Sequence, residues 1–354
     1  MNKEPKKYNI AVVGATGNIG AKTLDMLVER NFPYANITAA ASPRSVGAAL
    51  RLSNGAEVKI RRIDDVDFEN IDIAFFCAGS SVSSEYAAKA ANMGCIVIDK
   101  TSFFRMEENI PLIVPEINID SLSNSKTSPR GIISCPNCVA IPLSMALYAL
   151  ISGGLIINNV IVSTYQSVSG AGRQAVKVLR SQSLAILNGD NQEKISSTFP
   201  RKMAFNAIPQ IGDITAPGAY ADEEEKIMRE VSKIIDCLSF NISVTCVRIP
   251  TFVGHGVSVY VELNKVVCLE ELGRMFKRFP GMSFDSRRDY ITPVEVTNCD
   301  EVFVGRLRQA GNGYLFWIVA DNLRKGAALN GVQIAERLIK LDPDLYKFRQ
   351  RKQT

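Results

Sequence analysis

Tyr8-Asn-Ile-Ala-Val-Val-Gly14-Ala-Thr-Gly17-Asn-Ile-Gly20 is the stretch on which the reading of the whole chain turns. A short apolar run ending on glycine has the profile of a strand buried on both faces in a parallel sheet. Residues 20–30 then carry Leu24, Leu27 and Val28 at helical spacing and stop before Asn31 and Pro33. Between strand and helix stand Gly14, Gly17 and Gly20, a G-x-x-G-x-x-G turn. Glycines there let backbone N–H groups approach a pyrophosphate, and the helix N-terminus favours the anion. The turn predicts a dinucleotide site made by Gly14, Thr16, Gly17, Asn18, Ile19 and Gly20.

Downstream, residues 37–41, 71–77 and 95–99 read as further buried strands, with a helix near 85–92. Strands alternating with helices imply right-handed βαβ units and a doubly wound sheet. The second strand runs into Ala41-Ser42-Pro43-Arg44-Ser45, with no acid to take a ribose 2′-hydroxyl. An arginine between two hydroxyls suits a 2′-phosphate, so Ser42, Arg44 and Ser45 point to NADP.

The texture changes near residue 135. Val257, Val259, Val261 and Leu263 alternate with Ser258, Tyr260 and Glu262, and residues 241–249, 301–307 and 314–320 are strand-like. Period-two strands with one wet face predict a mostly antiparallel sheet, with helices such as 172–188 and 223–236 on its other face. A last helix, about 325–341, carries Val332, Ala335, Leu338 and Ile339 on one stripe, fit to return to the first domain. The expected fold is α/β, in two domains. Residues 1–134 with 325–354 form a Rossmann-type dinucleotide-binding domain, and 135–324 an α+β catalytic and dimerisation domain.

Composition narrows the function. Two domains suit 354 residues. A net charge of +5 gives no basic stripe for nucleic acid. The longest apolar run, 139–151, is too short to span a bilayer, and residues 10–13 are too short for a signal-peptide core. The expected setting is the cytoplasm, with thiols reduced, and the basic residues 347–352 read as a solvated end. Eight cysteines are too sparse for a disulfide scaffold, and one histidine cannot complete a usual zinc shell around Cys135-x-x-Cys138, so no metal is expected.

Pro142 fits a first helical turn and not an interior, so a helix should begin close to Cys138. A cysteine at a helix N-terminus has its thiolate stabilised and becomes a nucleophile. His255 lies between Gly254 and Gly256, which read as room for a ligand, and it is the one imidazole able to serve that thiol. An activated cysteine, an imidazole, a nicotinamide and a pocket for the acyl oxygen are what hydride transfer through a thiol adduct needs.

These residues lie in blocks that resemble the aspartate-semialdehyde dehydrogenases. The blocks include Gly14-Ala-Thr-Gly-Asn-Ile-Gly, Ala41-Ser-Pro-Arg-Ser-Val-Gly, Asp99-Lys-Thr-Ser-Phe-Phe-Arg-Met, Val114-Pro-Glu-Ile-Asn and Pro136-Asn-Cys. They continue through Ser163-Thr-Tyr-Gln-Ser-Val-Ser-Gly-Ala-Gly, Ala204-Phe-Asn-Ala-Ile-Pro-Gln, Cys246-Val-Arg-Ile-Pro, Gly254-His-Gly and Asp321-Asn-Leu-Arg-Lys-Gly-Ala-Ala. The order and spacing hold from Gly14 to about Ala335.

The resemblance implies reversible, NADP-dependent, phosphorylating oxidation of L-aspartate 4-semialdehyde to 4-aspartyl phosphate. In biosynthesis the reaction runs toward the aldehyde, feeding lysine through diaminopimelate, threonine and methionine. It makes Cys138 the nucleophile, His255 the general acid/base and Gln166 the residue that orients the covalent intermediate. Arg248 would clamp the substrate carboxylate, Glu223 meet its amine, and Arg105, Lys226 and Asn137 hold inorganic phosphate. Asn322 would lie near the nicotinamide, and Ser169 and Gly170 near the cofactor on the thiol side. A homodimer, or a homotetramer, is implied. Two residues depart from the pattern. Lys100 stands where asparagine is more usual, and Cys135, where a small aliphatic is usual, invites a redox disulfide with Cys138. The rivals are an N-acetyl-glutamyl-phosphate reductase and a non-catalytic NADP-binding sensor. A short-chain dehydrogenase does not fit, because no tyrosine here has lysine four residues later.

Overall fold

The computed structural model describes residues 6–123, 131–190, 197–236, 240–285 and 290–345. The basic end at 347–352 and Cys237 lie outside them. The chain divides into two compact units, residues 1–136 with 327–354 and residues 137–326.

The first unit opens with β1 (Tyr8–Val13), α1 (Asn18–Glu29), β2 (Tyr34–Ala40), β3 (Ala49–Arg51) and β4 (Glu57–Arg61). It continues with β5 (Ile73–Phe76), α2 (Ser80–Asn92), β6 (Ile96–Asp99), α3 (Pro115–Asn118) and β7 (Ile132–Ser134). The sheet order is β3-β4-β2-β1-β5-β6-β7, parallel except for the β3–β4 pair. The order reverses at β1, which puts the glycine turn at the switch point where such sheets bind ligands. Tyr8, Ile10 and Val12 enter the core beneath α1, while Ala11 and Val13 enter the core that Ala87, Ala90 and Ala91 of α2 share. That double burial is why β1 reads as a continuous apolar run.

The second unit holds α4 (Ala140–Ser152), β8 (Ile157–Gln166), α5 (Arg173–Asn188), α6 (Asp222–Ile235), β9 (Asn241–Arg248), β10 (His255–Leu263), α7 (Leu269–Arg278), β11 (Met282–Phe284), β12 (Val302–Ala310) and β13 (Gly313–Ala320). Its sheet order is β11-β12-β13-β10-β8-β9. The three central pairings are antiparallel, and the outer ones, β11–β12 and β8–β9, are parallel. Val257, Val259, Val261 and Leu263 face inward, as their alternation predicts. The helix layer differs from expectation in one respect. The apolar run becomes the buried α4 (Ala140–Ser152), which packs with α6, α7 and β13. By contrast, α5 packs on the turn at 168–171 and, through Ala175 and Leu179, on Met203, Ala204 and Ile208. Gln182 of α5 fixes that segment by accepting the N–H groups of Met203 and Ala204.

The chain returns to the first unit as α8 (Leu329–Leu341). Its Val332, Ala335 and Leu338 join Leu24 and Leu27 of α1 in one core, and Arg30 grips Glu336 through two N–H bonds.

Candidate active site

Strand register assembles the second unit's chemistry. Parallel pairing of β8 with β9 sets Gln166 opposite Arg248, and antiparallel pairing of β8 with β10 sets Gln166 opposite His255. Arg248, Gln166 and His255 therefore form one row across three strand ends, and neighbours in such a row share a face of the sheet. All three are buried. Residues 89 apart in sequence meet because the pairing has no slack at that end.

Cys138 lies half-buried in the turn that opens α4. Asn137 builds that turn. Its Oδ1 accepts the N–H groups of Val139 (2.8 Å) and Ala140 (3.3 Å), the work of a helix cap. Its Nδ2 donates to Glu223 Oε1 at 2.9 Å, and its backbone N–H donates to the buried carboxylate of Glu230. Glu223 Oε1 also accepts Gln166 Nε2 at 3.0 Å, while Thr164 Oγ1 donates to Gln166 Oε1 at 2.9 Å. The cysteine turn and the strand row are thus joined through one carboxylate. Gly326 closes the turn from the other side, where a Cβ would come within 3.2 Å of Cys138 Cβ. Lys226, one turn on from Glu223, is half-buried and has no hydrogen bond or ion pair among the described residues.

Arg248 Nη1 donates to the Ser167 carbonyl at 2.8 Å. Burial lowers the guanidinium's pKa, and Glu223 and Cys138 oppose that shift. Gly170 lies where His255 and Arg248 converge. A Cβ there would stand 3.3 Å from Arg248 Nη1 and 3.3 Å from His255 Nε2. His255 Nδ1 accepts the Ser167 backbone N–H at 3.1 Å, and Nε2 is buried with no partner among the described residues. Burial, and next Arg248, push the imidazole pKa down to about 3, while the Gly254 carbonyl favours the charged ring.

Contrary to the expectation from sequence, the glycines beside His255 do not leave room for a ligand. Gly254 has φ +88°, and a Cβ would come 2.2 Å from the Pro293 carbonyl oxygen. At Gly256 a Cβ would come 2.2 Å from the Trp317 ring. The chain's own atoms fill both spaces. Asn322 is buried, and Oδ1 accepts Gly254 N–H (2.9 Å), Ser167 Oγ–H (3.2 Å) and Ser169 Oγ–H (3.2 Å). Asn322 Nδ2 also reaches Ser169 Oγ at 2.9 Å. Asn322 and Ser169 thus spend their polar atoms on one another and on the histidine's supports. Ser167, Glu230 and Gly326 escape a reading of residue types, although Ser167 and Gly326 stand inside the quoted blocks.

The first unit holds the remaining candidates. Gly14 has φ +83°, and a Cβ would come 2.7 Å from Ala78 N, so the turn closes on the end of β5 with no space for a side chain. α1 starts on Gly17, Asn18 and Ile19 with no acid in its first turn, which suits an anion there. Ser42 and Arg44 are exposed just past β2, and Ser45 is half-buried. This donor set fits a dinucleotide diphosphate with a further phosphate at the β2 end. Arg105 is buried, with Nε on the Cys135 carbonyl (2.9 Å) and Nη2 on the Lys100 carbonyl (3.0 Å). Lys100 Nζ turns to the carbonyls of Ala327 (3.1 Å) and Ala328 (3.0 Å), so its extra length fastens the entry to α8. Cys135 is a core thiol whose pKa burial raises, against Lys100 and Arg105, which makes it a poor thiolate for the expected disulfide. None of the seven described cysteines is in a disulfide. Among the described residues no cluster could hold a metal ion, and no helix is long and apolar enough to cross a membrane.

Comparison with known proteins now defines the class. Residues 9–125 match the semialdehyde dehydrogenase NAD-binding domain, and residues 147–325 the semialdehyde dehydrogenase dimerisation domain. The aspartate-semialdehyde dehydrogenase of Rickettsia bellii (strain RML369-C) is 47% identical over 342 residues, covering 95% of this chain and 98% of the relative. That of Rickettsia conorii (strain ATCC VR-613 / Malish 7) is 46% identical over 342 residues, covering 94% and 98%. A crystal structure of aspartate semialdehyde dehydrogenase II from Vibrio cholerae, complexed with ASA, superposes with a TM-score of 0.90. It is 39% identical and covers 95% of this chain and 99% of that one. The chain belongs to the aspartate-semialdehyde dehydrogenase family of enzymes, which sets aside both the sensor and the N-acetyl-glutamyl-phosphate rival.

Proposed function

We propose that the chain catalyses the NADP-dependent, phosphorylating oxidation of L-aspartate 4-semialdehyde to L-4-aspartyl phosphate, running in reverse during synthesis of lysine, threonine and methionine. The observation that carries this is the row of Arg248, Gln166 and His255, tied through Glu223 to the turn that bears Cys138. Bound by the glycine turn with Ser42, Arg44 and Ser45, a nicotinamide dinucleotide would supply the hydride acceptor. The chain's own residues do the rest. Cys138, as thiolate at the start of α4, attacks the aldehyde carbon. Arg248 takes the substrate carboxylate, and Glu223 takes the amine. Arg105, Lys226 and Asn137 receive inorganic phosphate, with Asn137 also bound to its capping role. Gln166 orients the acyl group, and His255 is the general acid/base. Asn322, Ser169 and Gly170 act beside the imidazole.

A homodimer formed through the second unit goes with this reading, supported by the match to a dimerisation domain. So does the cytoplasm, where a reactive thiol stays reduced. The test is phosphate-dependent reduction of NADP with aspartate semialdehyde. Wild type should turn over and Cys138→Ala should not, while still binding NADP. Turnover by the variant overturns the nucleophile, and equal use of NAD overturns the cofactor preference.

A further inference from the structure

We propose that Glu230 is a positioning residue for the nucleophile: its carboxylate, buried in α6, accepts the backbone N–H of Asn137 and so fixes the turn that carries Cys138. The proposal rests on the reading of Cys138 as nucleophile and adds to it a residue that acts only through the backbone.

The two faces of α6 are easy to tell apart. Glu225 and Arg229 form an exposed ion pair one turn apart, while Ile227, Val231 and Ile234 are buried. Glu230 stands among the buried positions, with 1% of its surface exposed. An ionised carboxylate is costly to bury unless hydrogen bonds hold it, and an apolar side chain would simply continue the stripe. Here Oε2 of the carboxylate takes the Asn137 N–H. A backbone donor on an ionised acceptor makes one of the stronger hydrogen bonds in a protein.

Spacing is the second observation. Glu223 lies seven residues before Glu230, two helical turns to within about 20°, so both carboxylates leave the same side of α6. Both meet Asn137. Glu223 Oε1 takes its Nδ2 at 2.9 Å, and Glu230 takes its main chain. Oδ1 of Asn137 remains for the N–H groups of Val139 and Ala140. The side-chain bond alone would let the peptide plane tilt, whereas the bond at its N–H sets the direction in which the chain enters the cysteine turn.

Glu224 gives the helix its reference point. Oε1 accepts the Cys246 N–H at 2.9 Å and Oε2 the Ala221 N–H at 2.7 Å, which fastens α6 to β9 two residues before Arg248. Through α6, the cysteine turn is held in register with the strand that carries Arg248. The consequence is one of distance. The Cys138 thiolate has to reach the carbon of an aldehyde whose carboxylate and amine are taken by Arg248 and Glu223, and attack depends steeply on that gap. Glu230 sets the gap without touching the substrate. Removing its acceptor should lower kcat and spare KM. Glutamine, which keeps an oxygen in the same place, should restore most of the rate.

The test compares Glu230→Ala with Glu230→Gln in the full chain, by phosphate-dependent reduction of NADP with aspartate semialdehyde. Glu230→Ala should lose about thirtyfold in kcat, keep KM for the aldehyde within about twofold and slow the alkylation of Cys138 by iodoacetamide. Glu230→Gln should stay within about threefold of wild type in kcat. Equal losses in the two variants overturn the proposal, and so does a KM that rises as kcat falls, since that marks a displaced α6. A Glu230→Ala protein with a lower melting temperature and wild-type kcat leaves Glu230 a purely structural part and overturns it too. Should Glu230→Ala not fold, hydrogen exchange in wild type and Glu230→Gln decides. The Asn137 amide should exchange slowly in both, and exchange at the rate of an exposed loop in wild type overturns the bond. Turnover by Cys138→Ala would remove the nucleophile reading, while slowed alkylation of Cys138 in Glu230→Ala would still show that Glu230 sets the turn.

Discussion

The backbone N–H of Ser167 points at Nδ1 of His255 from 3.1 Å, inside a site where burial holds the imidazole pKa near about 3. Stability should depend on pH through that ring. Above the unfolded value of 6.5 both states are neutral. As pH falls below it, the unfolded ring takes a proton that the folded ring refuses until about 3, so stability drops across that window. Between pH 7 and pH 5 wild type should lose about 2 kcal/mol more in urea unfolding than His255→Gln. Equal losses in the two proteins would remove the histidine from the acid sensitivity.

Gly170 should resist even alanine. Its φ is not positive, so any residue can adopt the backbone, but a Cβ would press on Arg248 Nη1 and His255 Nε2 at 3.3 Å each. Gly170→Ala should keep its circular dichroism and lose about tenfold or more in kcat, because small displacements at reacting groups are costly. Wild-type kcat would sink the claim that the two side chains converge there.

Asn137→Ala should destabilise the chain by about 1 kcal/mol, the worth of a helix cap, and slow alkylation of Cys138 by disordering its turn. Asn137→Asp keeps the cap acceptor, but its second oxygen would face the Glu223 carboxylate, so repulsion should offset the recovered cap and turnover should stay low. Urea midpoints and iodoacetamide rates read the two effects separately.

Lys100→Met should cost about 2 kcal/mol, because the carbonyls of Ala327 and Ala328 lose their donor while remaining buried. Unchanged thermal stability would show that Lys100 does not fasten α8.

The first unit is legible because each signal is local. β1 alternates between two cores, the glycines follow it directly, and Leu24 and Leu27 repeat at helical spacing. β3 and β7, three residues each, carry too few side chains to show a period. In the second unit Val257 to Leu263 announces a strand, but no local pattern tells that Gln166, Arg248 and His255 share one row. Register is a property of pairing, and it appears only when strands meet. The same holds for Gly254 and Gly256. Their type is visible in sequence, but its cause, a carbonyl at Pro293 and the ring of Trp317, lies 39 and 61 positions away. Glu230 is silent for a related reason, since a carboxylate buried on an acidic helix looks like a solvated one until its partner is seen.

Trp317 stands on the flat space left by Gly256, next in the chain to His255. Its Nε1 is fixed to the Ile291 carbonyl at 3.0 Å, and its ring lies 5.5 Å from that of Tyr165, the neighbour of Gln166. It is also the single tryptophan of the chain. The indole is thus a built-in fluorophore one strand away from the row of Arg248, Gln166 and His255. Ligands that shift the imidazole or the amide should register in its emission without a dye or a label, so binding and turnover can be timed in the unmodified enzyme.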